Sequence, residues 1–299
     1  FVAASIAFAA PTRPPITGVS HIALYTSDLA AADHYYSIVV GAQKASDPEN
    51  PHGVRYMIDP TQFIEVLPLP SGQGINRLAH TAYKTTDAEA MRAYLASKGW
   101  KTPGKVTKDS DGSTWFAVLD PEGNEVQFVQ PPAHPAAVNA PKLIGKHIIH
   151  VGIMVHNRIK EDAFYRTLLG FRPYWYGGMQ DNQVDWVSQQ TPDSRDWLEY
   201  MMTGKPSDTG IPAGMTQFHL GVIDHVAIGV PSVDEVFKTL KAENRLIGKH
   251  DDATKIGRDG KGQLNLYTPD DTRIEMMNFK ATEKPCCSPF TAEDPSPSQ

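Results

Sequence analysis

The 299 residues include 28 Lys and Arg against 34 Asp and Glu, for a net charge of −6, and 40% of them are hydrophobic. That is chain enough for two domains with real cores. The charge is spread without a basic block, which argues against nucleic acid or a polybasic membrane contact as the main partner, and no apolar run is long enough to span a bilayer.

Phe1 to Ala10 is an apolar, small-residue run containing Ala7-Phe8-Ala9 before Pro11. It reads as the later part of a secretory signal peptide, so an exported protein (periplasmic or secreted) is expected, with residues 1–15 a remnant or disordered. An arbitrary boundary of the chain would look the same.

The elements that follow repeat. A strand at Val19-Ser20-His21-Ile22-Ala23-Leu24 leads to a helix capped by Ser27 or Asp28 and ended at Gly41, then to strands carrying Glu65. A second strand, Leu78 to Tyr83 around His80, leads to a capping box at Thr86 and Glu89 and a helix end at Gly99. After the turn Asp120-Pro121-Glu122-Gly123-Asn124 its closing strand carries Gln127. The Pro/Ala-rich stretch from Gln130 to Pro141 has no periodicity and divides the chain. Beyond it come a strand around His150, a helix capped by Asn157 and ended at Gly170, and Glu199. The last unit has a strand around His225, a capping box at Ser232 and Glu235, the turn Thr268-Pro269-Asp270-Asp271, and Glu275.

Each histidine precedes its Glu or Gln by 44 to 50 residues, and the histidines lie 59, 70 and 75 residues apart, an internal repeat that is not strict. Strand period two puts Ala23, Ala82, Gly152 and Ala227 on the face of the histidine two positions before each. Mostly bulky residues such as Ile22, Leu24, Val151, Ile153, Val226 and Ile228 take the other face, which should pack on a helix while the small face lines a cavity. Each unit reads strand, helix, then three strands, an α+β organisation. The only cysteines, Cys286 and Cys287, are adjacent in a Pro/Ser/acidic tail; neighbours rarely bridge, so neither a disulfide framework nor a thiolate metal site is expected, and residues 281–299 read as disordered.

The run Ser20 to Tyr36 with Gly41, and His150 to Tyr165 with Gly170 and Phe171, resembles the opening of a vicinal-oxygen-chelate module. Asp120 to Gln127 and Thr268 to Glu275 resemble its closing turn and strand. The similarity runs over about residues 16 to 280 and implies four βαβββ modules paired into two half-barrel domains. These are expected at 16–131 and 146–280, with a linker at 132–145. It also implies ligand sets, His150, Glu199, His225 and Glu275 in the C-terminal half and a weaker second set, His21, Glu65, His80 and Gln127, in the N-terminal half. Glu275 and Glu199 are the implied catalytic carboxylates.

Imidazole and carboxylate together suit one divalent ion such as Zn²⁺, Ni²⁺, Co²⁺, Mn²⁺ or Fe²⁺. Four protein donors leave two positions of a six-coordinate ion for a substrate with adjacent oxygens. The ion would then stabilise an enediolate while a displaced glutamate moves the proton. This favours a glyoxalase- or epimerase-like lyase or isomerase. An extradiol Fe(II) dioxygenase using His150, His225 and Glu275 is the first alternative, weakened because Asn265 stands about where that family has a tyrosine and Tyr267 is out of register. A metal-free small-molecule binding protein is the second. Tyr174, Trp175, Tyr176, Trp186, Trp197 and Tyr200 could line an apolar pocket, with Trp186 and Trp197 the likelier core residues, and the loop from Ile256 to Gly262 is a hairpin turn or a lid. A homo-oligomer is compatible with all of these.

Overall fold

Each repeated unit folds as one strand, one helix and three further strands in the computed structural model, which describes residues 11–297. The run read as a signal peptide, residues 1–10, lies outside the described residues. The first unit comprises β1 (Ile16–Thr26), α1 (Leu29–His34, continued as a π-helical turn to Val40), β2 (Gln43–Ser46), β3 (Val54–Asp59) and β4 (Gln62–Pro68). The second comprises β5 (Leu78–Thr85), α2 (Ala88–Ser97), β6 (Thr107–Lys108), β7 (Thr114–Leu119) and β8 (Glu125–Gln130). The third comprises β9 (Ile148–Val155), α3 (Arg158–Asp162, continued as a π-helical turn to Leu168), β10 (Arg172–Gly177), β11 (Trp186–Gln190) and β12 (Trp197–Met202). After a short helix, α4 (Gln217–Ile223), the fourth comprises β13 (His225–Val230), α5 (Val233–Ala242), β14 (Lys255–Ile256), β15 (Lys261–Tyr267) and β16 (Arg273–Ala281).

The units pair into two eight-stranded sheets with matching orders, β2-β3-β4-β1-β5-β8-β7-β6 and β10-β11-β12-β9-β13-β16-β15-β14. In each, the two opening strands run antiparallel at the centre, and each closing strand lies parallel to the opening strand of its own unit. Four functional strands are thereby adjacent in each half, although their residues are up to about 130 positions apart in sequence. The bulky face packs as expected: Ile22, Leu24, Val151, Ile153, Val226 and Ile228 are buried in one core with Tyr36, Met91, Leu95, Phe164 and Leu240 from the helices.

The helix starts follow the sequence with one correction. Asp28, Asn157 and Ser232 cap α1, α3 and α5, but α2 is capped by Asp87, which accepts from the Ala90 amide, rather than by Thr86. A carboxylate one residue on is the stronger acceptor. Gly41 closes the helix of the first unit at φ 75°, a left-handed conformation that costs glycine nothing.

The halves clasp each other reciprocally. Gln62 at the start of β4 donates to the Ile148 carbonyl at 2.9 Å and accepts from the Ile148 amide at 2.8 Å. Asp196, just before β12, accepts from the Val19 amide at 2.9 Å. The β7–β8 turn sends Glu122 to the amides of His156 and Asn157, and the β15–β16 turn sends Asp270 to Thr26 and Ser27.

The tail departs from expectation. Residues 283–297 form no helix or strand, yet they lie against the C-terminal half, with Phe290 and Ala292 packed beside Tyr174, Trp175 and Trp197. Thr291 donates to the Tyr174 carbonyl, and Asp294 pairs with buried Lys261. Apolar burial and an ion pair order a segment whose composition alone reads as disordered. Cys286 and Cys287 are also bridged, against the expectation for neighbours, in a turn where Cys287 takes φ 70°.

Candidate metal centres

In the C-terminal half β9 supplies His150, β12 Glu199, β13 His225 and β16 Glu275. The Nε2 atoms of His150 and His225 are 2.9 Å apart, and Glu275 Oε2 lies 3.5 Å from each. Glu199 Oε2 is 3.7 Å from His225 Nε2. Neighbouring donors on one ion with bonds of about 2.1 Å sit roughly 3.0 to 3.4 Å apart. His150, Glu199 and His225 bring donor atoms within 4.8 Å of one another, so small side-chain shifts would let them hold one cation, with Glu275 beside both imidazoles. The unpaired atoms agree: Glu275 Oε1 is buried with no hydrogen-bond partner. His225 Nδ1 donates to the Ile223 carbonyl at 2.8 Å, which turns the lone pair of Nε2 inward. Trp197 stacks on His150 at 4.5 Å and fixes that ring from behind, and Ser188 donates to Glu199 at 3.2 Å.

The N-terminal half repeats the plan with His21 on β1, Glu65 on β4, His80 on β5 and Gln127 on β8. His21 and His80 are 3.0 Å apart through their Nε2 atoms, and Glu65 Oε2 is 3.2 Å from His80 and 3.8 Å from His21. Phe63 stacks on His21 at 4.3 Å, in the place that Trp197 takes on His150. Gln127 donates to Glu49 at 2.7 Å, which leaves its Oε1 buried without a partner.

Electrostatics separate the two centres. Burial, and then the Arg273 charge, hold His150 and His225 well below the ordinary imidazole range, so both are neutral, the form that binds metal. Burial and then the Glu275 charge push Glu199 up to about 8, and burial raises Glu275. In the N-terminal half burial lowers His21, helped by His80. Burial opposes protonation of His80 too, but its hydrogen bond to Glu65 and that residue's charge outweigh it and raise the imidazole. Burial would raise Glu65, yet the bonds from His80 and Asp47 and the nearby imidazole charge bring it below the carboxylate range. Burial and the Glu65 charge push Glu49 up to about 7.

A cavity of about 300 Å³ opens on the C-terminal centre, lined by Trp175, Trp186, Glu199, Arg273, Glu275 and Met277. One of about 450 Å³ in the N-terminal half has His21, Glu49, Arg55 and Phe63 on its wall, together with Pro131, Pro132 and residues 134–138.

The sequence model of the Glyoxalase/Bleomycin resistance protein/Dioxygenase superfamily matches residues 18–128, the first pair of units. That first pair of units belongs to this superfamily. No curated protein sequence matches the chain. Among solved structures, it is similar to a catechol 2,3-dioxygenase at 18% identity, covering 91% of this chain and 95% of that one, with a TM-score of 0.63. A homoprotocatechuate 2,3-dioxygenase from Brevibacterium fuscum, in anaerobic complex with 3,4-dihydroxyphenylacetate, gives 17% identity over 97% and 86% of the chains and a TM-score of 0.63. The Mn(II)-bound glyoxalase from Novosphingobium aromaticivorans gives 16% over 92% and 86%, with a TM-score of 0.66. At these identities the likeness is one of fold.

Several residues of the two cavities were not read from the sequence. Glu49 lies in an irregular segment between β2 and β3 and meets Gln127 only after folding. Arg273 donates to His225 Nε2 at 2.9 Å; period two on β16 places it on the face of Glu275, a signal that was available. Trp186, read as core, lines the cavity instead, whereas Tyr200 is buried in the main core and Tyr176 is largely exposed. The Gly-rich loop is the β14–β15 hairpin, and its residues 256–259 form part of the cavity wall.

Proposed function

We propose that this protein is a metal-dependent enzyme of the glyoxalase- or epimerase-like kind, a lyase or isomerase acting beside a carbonyl of a small molecule with adjacent oxygens. Its working centre is the C-terminal one. The observation that carries this reading is the convergence of two neutral imidazoles with Glu275 and Glu199 at separations of 2.9 to 3.7 Å. A divalent ion (Zn²⁺, Ni²⁺, Co²⁺, Mn²⁺ or Fe²⁺) held by these four side chains supplies Lewis acidity to two neighbouring substrate oxygens.

The chain's own residues do the rest. Glu199, which stands off at 3.7 Å from His225 while Ser188 holds its Oε1, is the carboxylate that would leave the ion and move the substrate's proton at Oε2. The Ile223 carbonyl keeps His225 in the tautomer whose Nε2 faces the centre. Trp175, Trp186 and Met277 exclude water from the substrate's apolar part. Metal analysis of the purified protein, with deuterium exchange at a carbon beside a carbonyl in an α-hydroxyketone or thioester panel, tests the reading. Stoichiometric ion and exchange support it; a protein that takes up no divalent ion overturns it.

A second reading, an iron-dependent ring-cleaving dioxygenase, is favoured by one feature. His150, His225 and Glu275 form the tighter set, at 2.9 and 3.5 Å, while Glu199 stands off at 3.7 Å with its carboxyl raised. Bound iron with oxygen consumption on catechol would select it.

A further inference from the structure

Among the described residues Arg273 forms no ion pair within 4 Å, although it projects from β16 into a cavity that also holds Glu199 and Glu275. Its Nη2 donates to the neutral His225 Nε2, and its Nε is buried with no hydrogen-bond partner. The other cations on this wall have carboxylates of their own, Lys255 with Asp251 and Arg258 with Asp181. Glu199 and Glu275 act on this guanidinium only through space, from beyond ion-pair distance, so a half-buried cation with a buried unfilled donor is left to receive an anion. The repeat shows that the position is particular to this half, because the register-equivalent residue two before the closing ligand of the second unit is Glu125, a carboxylate.

We infer that the C-terminal cavity takes an anionic substrate, a compound whose adjacent oxygens are accompanied by a carboxylate on an apolar or aromatic body, and that Arg273 is the residue that receives the carboxylate. This rests on the C-terminal centre being the working one. A guanidinium suits the role because its planar fork matches a carboxylate in two parallel bonds. The adjoining walls, Trp175, Trp186, Met201 and Met277, offer ring and thioether surface to the apolar body. An ion bound by the two Nε2 atoms would compete with Arg273 for His225 and leave the guanidinium free for the ligand.

Two probes that differ only by the carboxylate, 3,4-dihydroxybenzoate and catechol, test this. Their affinities for the whole protein are measured by calorimetry and by tryptophan fluorescence, with and without added Zn²⁺. The wild-type chain is expected to favour the carboxylated probe by about tenfold or more, as a charge-assisted bidentate contact implies. Arg273→Met should collapse that preference toward unity, and Arg273→Lys, which keeps the charge and loses the fork, should restore part of it. Equal affinities for the two probes in the wild-type chain, or an undiminished preference in both variants, would overturn the assignment. The metal-free titration separates this inference from the functional reading. A carboxylate preference that persists without any ion supports Arg273 even where metal analysis defeats the enzyme, and bound metal without a preference does the reverse.

Discussion

Gly152 and His225 face each other across β9 and β13, and a methyl group on Gly152 would sit 2.1 Å from the imidazole Cε1. No ring can share that space, so the absent side chain is what lets His225 turn its Nε2 toward His150. Gly152→Ala is therefore expected to weaken metal binding by about 10- to 100-fold, the usual range when a ligand's support is disturbed. The same register in the other half pairs Ala23 with His80, where a methyl group is present already. Ala23→Gly should leave metal affinity nearly unchanged. Isothermal titration of both variants with Zn²⁺ checks this, and similar losses in the two would sink the explanation.

A division of labour between the halves makes the second prediction. His225→Ala removes a donor from the four-donor C-terminal set and should abolish most of the metal bound there, along with most turnover. His21→Ala acts on a centre whose fourth position is an amide tied to Glu49, and should affect turnover far less. Metal content and kcat of the two variants decide it. Equal falls in activity would mean that the halves work as one.

Much of the architecture could be read from the chain because the repeat carries its own geometry. An alternating strand opening on histidine, a capped helix and a closing strand with an acidic or amide residue recur four times, and parallel pairing of opening with closing strands follows once the units pair. What resisted reading were contacts between units and departures from regular structure. The bond from Glu49 to Gln127 joins two units through an irregular segment, and the cap of Glu122 on His156 joins the two halves. α4 is a seven-residue helix with too few turns to show a period. The tail looked disordered because composition reports average hydrophobicity, whereas Phe290 and Asp294 are single residues that meet prepared partners.

The tail also supports the C-terminal centre. Asp294 accepts from Lys261 Nζ at 2.6 Å, and that ammonium lies 5.7 Å from the Trp197 ring, which in turn stacks on His150. Lys261 is fully buried, with burial pulling its pKa down, so removing the carboxylate leaves its ammonium with the Phe279 carbonyl but without its ion-pair partner. Asp294→Ala should cost about 2 to 3 kcal/mol, somewhat less than a fully buried pair because the Asp294 side chain is 23% exposed. Urea unfolding measures the loss, and Lys261→Met added to it should recover part of the stability. If Asp294→Ala unfolds at the wild-type midpoint, the tail is a bystander.

A buried acid between the halves makes stability depend on pH. Glu161 on α3 is fully buried, and no side chain hydrogen-bonds either of its carboxylate oxygens. Burial, followed by the charges of Asp120 and Glu122 and that of Asp162, pushes it up to about 9 from an ordinary 4.5. Around it, Glu122 is itself paired with His156, and the Tyr165 hydroxyl lies 3.4 Å from Asp120. Because the folded-state pKa is the higher one, the proton binds more tightly to the folded chain. Glu161's contribution is then fully present below about pH 4.5 and is lost as pH rises toward 9. Glu161→Gln, which is neutral at every pH, should match the wild-type near pH 4 and exceed it at pH 8 by an amount on the order of 1 to 3 kcal/mol. Chemical unfolding of the two proteins across that interval gives the difference directly. A difference that stays constant with pH would show that Glu161 has the same pKa folded and unfolded, and the junction between the halves would then owe nothing to its proton.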